Sequence, residues 1–122
     1  MEKGWICRIR DLSRAIEAYS QAFEAAFGMS LTQAILLCQL RDEPDMGPGE
    51  LASALGLTGS HASKQLAQLE MQRLVKRRLC KDDRRCMRFS LTKDGLRRLS
   101  ELESADLPLP ADLLRVFSGG TE

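Results

Sequence analysis

Apolar residues recur along the first part of the chain at helical spacing. Ile9, Leu12, Ile16, Tyr19, Phe23 and Phe27 follow one another at intervals of three and four, with Arg10, Arg14, Glu17 and Glu24 between them. This is one face of a long helix over 6–28, ended by Gly28. A second start follows at Ser30-Leu-Thr-Gln33, which fits a capping box with Met29 and Ala34 as its hydrophobic staple. That helix continues through Leu36, Leu37 and Leu40 until Pro44 stops it. After a short loop at Asp45, Met46 and Gly47, Pro48 fits the first turn of a third helix carrying Leu51, Ala52 and Leu55. Gly56 breaks it early and Leu57 turns inward. Thr58 then caps a fourth helix that runs to about Arg73. Ala62, Leu66 and Leu69 form its inner face. Gly59, Ser60, His61, Ser63, Lys64 and Gln65 form an outer face that is small and rich in hydrogen-bonding groups.

Beyond Leu74 the period falls to two. Val75, Arg77 and Leu79 alternate with Lys76, Arg78 and Cys80; across a Lys81–Arg85 turn, Met87, Phe89 and Leu91 alternate with Arg88 and Ser90. The pattern predicts an antiparallel hairpin over 75–91 with one apolar face and a basic tip. Thr92 caps a fifth helix with Leu96, Leu99 and Leu102 inward, and Pro108 and Pro110 separate it from a short last segment, Ala111 to Phe117. The fold class is therefore mainly α with a small antiparallel β-wing (α+β), a winged helix-turn-helix of about five to six helices. The expected organisation is a single winged-helix domain over 1–122. Within it lie an N-terminal helix (6–28), a core (30–104) with its wing (75–91), and a short C-terminal segment (105–122).

Composition narrows the class. The chain has 122 residues, 43% hydrophobic and 29% charged, as in ordinary globular proteins. No apolar run approaches the roughly 18 residues of a membrane span, and no secretory signal is evident, so a cytoplasmic protein without membrane contact is expected. One histidine and four scattered cysteines suggest no metal site, no cofactor and no disulfide framework. Net charge is only +1, yet the segment from Arg73 to Arg88 has eight basic residues against Asp82 and Asp83. It carries +6, leaving −5 for the remaining 106 residues. Solvated charged faces usually interleave both signs, so this asymmetry favours a polyanionic partner.

The element order has a mechanical meaning. In a helix-turn-helix the second helix enters the major groove of DNA with its N-terminal residues against base edges. Gly59, Ser60 and Ser63 allow close approach, while the hydroxyls, His61, Lys64 and Gln65 supply donors to bases or phosphates. Arg77 on the wing is a further candidate for DNA contact, and the hairpin tip carries Arg84 and Arg85 further along the duplex, where an arginine can enter a narrowed minor groove. The residues Leu51-Ala52, Leu55-Gly56-Leu57-Thr58, Leu69-Glu70, Leu74-Val75-Lys76-Arg77, Asp83-Arg-Arg85 and Leu91-Thr92-x-x-Gly95 resemble the MarR family of bacterial regulators over about Leu31 to Leu102. The resemblance implies that Asp83 supports the wing and that Arg85 reaches the minor groove. It implies a homodimer on a pseudo-palindromic operator, built by N- and C-terminal helices. It also implies release of DNA by a small-molecule effector, whose identity the sequence does not give, or by cysteine oxidation.

The C-terminus departs from the family pattern, since Pro108 and Pro110 interrupt the helices that usually dimerise. The dimer is then expected to lean on Ile9, Ile16 and Phe23, with Leu114 and Phe117 from the last segment. Cys7 occupies the region where the peroxide-sensing branch of the family keeps its reactive thiol; it is the candidate redox residue, although an unreactive cysteine is the simpler reading. Cys80 and Cys86 flank the wing turn with matching parity and could form a disulfide if they face one another, whereas cytosolic thiols are normally reduced. Cys38 reads as core packing. Gly47-Pro-Gly49-Glu-Leu-Ala52 matches a dinucleotide fingerprint but lacks the preceding strand, and Ser60-His61 point apart on a helix without a partnering acid. No enzyme is expected. The leading expectation is a DNA-binding transcriptional repressor acting as a homodimer through a recognition helix (58–73) and a basic wing (75–91). The alternative is a winged-helix protein-interaction module in which DNA binding is lost or secondary.

Overall fold

A computed structural model describes residues 4–80 and 83–119, the side chains of residues 83–85 and 119 excepted. The element order is α1 (Trp5–Phe27), α2 (Leu31–Asp42), α3 (Pro48–Leu55), α4 (Gly59–Met71), β1 (Val75–Cys80), β2 (Asp83–Leu91), α5 (Lys93–Ser104) and α6 (Ala111–Gly119). They form two compact units: one is built from α1 and α6, the other from Thr32–Ala105.

The second unit is the winged core. Its centre is Leu36, Leu37 and Leu40 of α2, Leu51 of α3, Leu66 and Leu69 of α4, and Val75 of β1, each almost wholly buried. Burying one such leucine contributes about 1.5–3 kcal/mol, and these residues recur at the spacings that put them on one face of each helix. The tight passage from α3 to α4 follows from Gly56, whose φ of 67° places it in the left-handed region as the C-cap. Thr58 then caps α4, its Oγ1 accepting the His61 N–H at 3.1 Å.

The wing differs from expectation in two ways. Strand β2 starts at Asp83, with Cys80 paired to Asp83 after an irregularity between Leu79 and Cys80; the strand thus takes in residues expected in the turn. The apolar face of the hairpin is confined to its base. Val75 and Phe89 are buried, but Leu79 is 56% exposed because the hairpin projects past the helices that would cover it. Met46 of the α2–α3 loop bridges to Phe89, donating at 3.0 Å and accepting at 2.7 Å, which adds a third backbone segment to the base of the wing.

Helix α5 also turns a different face inward. Leu99 and Leu102 are buried, but Leu96 is 48% exposed and Gly95 is buried in its place. The reason is a close approach: a Cβ on Gly95 would lie 2.0 Å from the Leu74 carbonyl oxygen. The helix can start where it does only against a residue without a side chain.

In the first unit α1 packs on α6. Gly28 ends α1 with φ 68°, its N–H bonding Glu24 O at 2.9 Å. Phe23 is buried and stacks edge-on with Phe27 at a centroid distance of 4.8 Å. An apolar groove of about 400 Å³ lies between Leu12, Ile16 and Tyr19 of α1 and Leu113, Val116 and Phe117 of α6. Among the described residues no single helix is long and apolar enough to cross a membrane.

Candidate nucleic-acid interface

Helix α4 owes its usable surface to the contrast between its faces. Ala62, Leu66 and Leu69 anchor it, which leaves Gly59, Ser60, His61, Ser63 and Lys64 exposed on the first two turns. The Thr58 cap fixes the position of that N-terminus, where the partial positive charge of a helix favours an anion. Gln65 is half-buried and differs from its neighbours: its Oε1 accepts from Nε2 of the buried Gln33 at 2.9 Å. Gln68 Oε1 accepts from the same nitrogen at 2.6 Å.

The basic residues of the wing divide into paired and unpaired groups. Arg77 turns back to α4, where Nε lies 2.9 Å from Glu70 Oε2 and Nη2 lies 2.7 Å from Glu70 Oε1. Its hydrogen bonds hold the Glu70 carboxyl below the ordinary carboxylate range, against the opposing effect of desolvation, and the same bonds raise the Arg77 guanidinium. Arg78 pairs with Asp45. Arg88 donates to Glu50 Oε1 at 2.6 Å and to the Asp45 carbonyl at 2.6 Å, with the Asp45 carboxylate 3.8 Å away. Glu50 in turn accepts the Gly47 N–H at 3.1 Å. Thus Arg77 is a strut between β1 and α4, while Arg78 and Arg88 tie the hairpin to the loop before α3. Arg73 and Lys76 are exposed, and no acid among the described residues lies within ion-pair distance of either. The side chains of Asp83, Arg84 and Arg85 lie outside the described residues.

The remaining expected residues sit elsewhere. Ile9, Ile16, Leu114 and Phe117 are exposed on α1 and α6, from 49% to 59%. Phe23 is a correction: at 5% exposed it is buried within the chain, where it packs against Phe27 and Tyr19. Cys7 is a free, exposed thiol near the start of α1, and Cys38 is free and half-buried. Cys80 and Cys86 are joined as a disulfide across the hairpin, Cα–Cα 5.4 Å. The sequence raised this bond only as a geometric option. No group of three His, Cys, Asp or Glu that could hold a metal occurs among the described residues. The sequence reading missed Gln33, Asp45, Glu50 and Glu70 as members of the interface. Of these only Glu70 stands near its partner in the chain.

A short helix, a glycine turn, a capped helix with a polar outer face and a basic hairpin in the next segment define a winged helix-turn-helix. The MarR family model matches residues 29–87, a span that takes in the helix-turn-helix and most of the wing. Solved structures share the fold. A MarR family transcription regulator, SP03579, superposes with a TM-score of 0.75 at 23% identity, covering 96% of this chain and 75% of that one. The S. aureus MepR–DNA complex gives 0.62 at 23% identity over 79% of each chain. The Multiple Antibiotic Resistance Repressor MarR gives 0.69 at 17% identity, covering 84% and 73%.

Proposed function

We propose that the chain is a DNA-binding transcriptional regulator, a repressor that acts as a homodimer on a two-fold symmetric operator. The observation that carries this reading is the capped start of α4, where Gly59, Ser60, His61, Ser63 and Lys64 are all exposed among the described residues. Such a surface fits the floor of the major groove, and its family relationship to transcription regulators agrees with that use. Arg84 and Arg85 of the wing would enter the adjacent minor groove, with Asp83 as the support of that tip. Self-association would use the exposed apolar positions Ile9, Ile16, Leu114 and Phe117, and the site of action would be the cytoplasm. Cys7, exposed and free, is the candidate for redox control of that assembly.

The test is selection of bound duplexes from a random pool, followed by titration of the selected site with the wild type and Arg85→Ala. A two-fold symmetric consensus is expected. Loss of a wing arginine should weaken binding about tenfold or more, within the roughly 1–3 kcal/mol of a good groove contact. Equal affinity of Arg85→Ala and wild type would remove the wing from the reading. A second reading, a protein-interaction module, draws on the acid partners that already occupy Arg77, Arg78 and Arg88. It predicts no salt-sensitive affinity for mixed duplex DNA.

A further inference from the structure

Gln33 is the sole buried polar side chain among the described residues, at 5% exposed. Burying an amide without partners is costly, so its neighbours have to satisfy it. Its NH2 group has two hydrogens, and the oxygens of Gln65 and Gln68 take them at 2.9 and 2.6 Å. These two glutamines are three residues apart and so share one face of α4. No buried side-chain nitrogen or oxygen among the described residues is left without a partner. Both amide oxygens of the recognition helix therefore point back toward α2, and both NH2 groups are left for whatever approaches from outside.

We propose that Gln33 is a positioning residue that sets the polarity of the Gln65 and Gln68 amides, so that α4 offers hydrogen-bond donors and no amide oxygen to the major groove. This rests on the DNA-binding reading above. A free glutamine reads adenine by using both ends of its amide, accepting from N6 and donating to N7. With its oxygen turned inward onto Gln33, the end of the amide that faces outward is the NH2 group, which donates. The base edge that matches adjacent donors is guanine, which presents O6 and N7, while the N6 amino group of adenine opposes them. The α4 surface is thereby biased toward guanine at the base pair that Gln65 or Gln68 meets.

The test compares duplexes selected from a random pool by the whole chain as wild type, Gln65→Ala, Gln68→Ala, Gln33→Met and Gln33→Glu. The wild type should enrich guanine at one position per half-site by about tenfold over adenine, in line with a contact worth about 1.4 kcal/mol. Gln65→Ala or Gln68→Ala should abolish that preference while the rest of the consensus stays. Gln33→Met keeps the volume and frees both amides, so guanine and adenine should be enriched to within about twofold of each other. Gln33→Glu has no donors to give; it should turn both NH2 groups inward and shift the preference to adenine or cytosine, whose amino groups meet the exposed oxygens. A folding check by circular dichroism accompanies each variant, and if the buried carboxylate unfolds the protein, Gln33→Met alone decides. A loss of stability without repositioning would lower affinity for all sequences alike and leave the preference intact. If the wild type enriches no sequence, the DNA-binding reading itself fails. If it enriches a consensus that Gln33→Met leaves unchanged, or one with adenine where Gln65 or Gln68 matters, the positioning role is wrong while the DNA-binding reading stands.

Discussion

Replacing Gly95 with alanine tests the junction on which the wing is mounted. Gly95 is the third residue of α5, and its missing side chain is what lets the helix approach Leu74, the residue before β1. An added Cβ would lie 2.0 Å from the Leu74 oxygen, 3.0 Å from its carbonyl carbon and 3.1 Å from Leu91 Cδ2, whereas ordinary contact begins at 3.4 Å. The obstacle is backbone, so no rotamer change relieves it; α5 and β1 have to separate by more than an ångström. The same carbonyl accepts the Thr92 N–H at 3.1 Å, and Thr92 Oγ1 both accepts the Gly95 N–H at 2.9 Å and donates to Arg73 O at 2.7 Å. Overpacking costs about 1–3 kcal/mol, and a weakened hydrogen bond adds about 1 kcal/mol. The gain in helix propensity from glycine to alanine returns about 1 kcal/mol. The net loss is about 1–3 kcal/mol, which for a chain of this size lowers Tm by roughly 4–12 °C. Thermal unfolding by circular dichroism and the urea midpoint give the measurement. Gly49→Ala is the control, since a Cβ there meets nothing within 4 Å and φ is not in the left-handed region; it should leave Tm unchanged or raise it slightly. A Gly95→Ala protein as stable as wild type would refute the close approach as the reason for glycine.

Three other perturbations address the struts of the wing. Asp45 has φ 71° and pairs with Arg78 and Arg88; both Asp45→Ala and Asp45→Gly lose those pairs, but alanine should unfold at lower urea by about 1 kcal/mol more, because glycine adopts that backbone without strain. Glu70 is held below its ordinary value of 4.5 by Arg77, so the strut is complete above that pH and is lost as pH falls through the depressed value. An acid titration of stability should accordingly show a loss below about pH 4.5 that Glu70→Gln lacks, and parallel curves would contradict it. Cys80→Ser opens the cross-strand bond. Closing so short a loop constrains the open state by about 2 kcal/mol, so amide exchange at Leu79 and Met87 should quicken roughly thirtyfold while the α2–α4 core keeps its protection. Reductant added to the wild type should reproduce this.

The helix-turn-helix was legible because its signals are local. Gly56 and Thr58 each act through backbone geometry that depends on neighbours a few residues away, and the Leu66–Leu69 spacing identifies the buried face without knowledge of what covers it. Features set by distant partners were not legible. The apolar series Leu96, Leu99, Leu102 predicted a face for α5, yet the observed face runs through Gly95, a residue with no apolar signal, because of the Leu74 carbonyl. The series on α1 suggested one continuous sticky surface, but Phe23 is buried while Ile9 and Ile16 are exposed. Hairpin parity could place Cys80 and Cys86 on matching faces, though not decide that they would bond.

Charge shows the same limit most clearly. The +6 of the segment from Arg73 to Arg88 pointed to a polyanion, yet Asp45 lies 33 residues from Arg78 and Glu50 lies 38 from Arg88. No window along the chain could pair them. Of the five bases in that segment whose side chains are described, three are engaged by acids outside it. The structural work falls to those three, which hold β1 and β2 to α4 and to the start of α3. The unpaired cations Arg73 and Lys76 stand beside them on the surface. If the chain binds DNA as proposed, each phosphate neutralised releases about 0.9 counterion, and cations free of acid partners would set the salt dependence. Cations that position the wing and cations that meet phosphate thus look alike in the sequence. Only the partners brought together by folding separate them, and Gln33 does the same for the amides of α4.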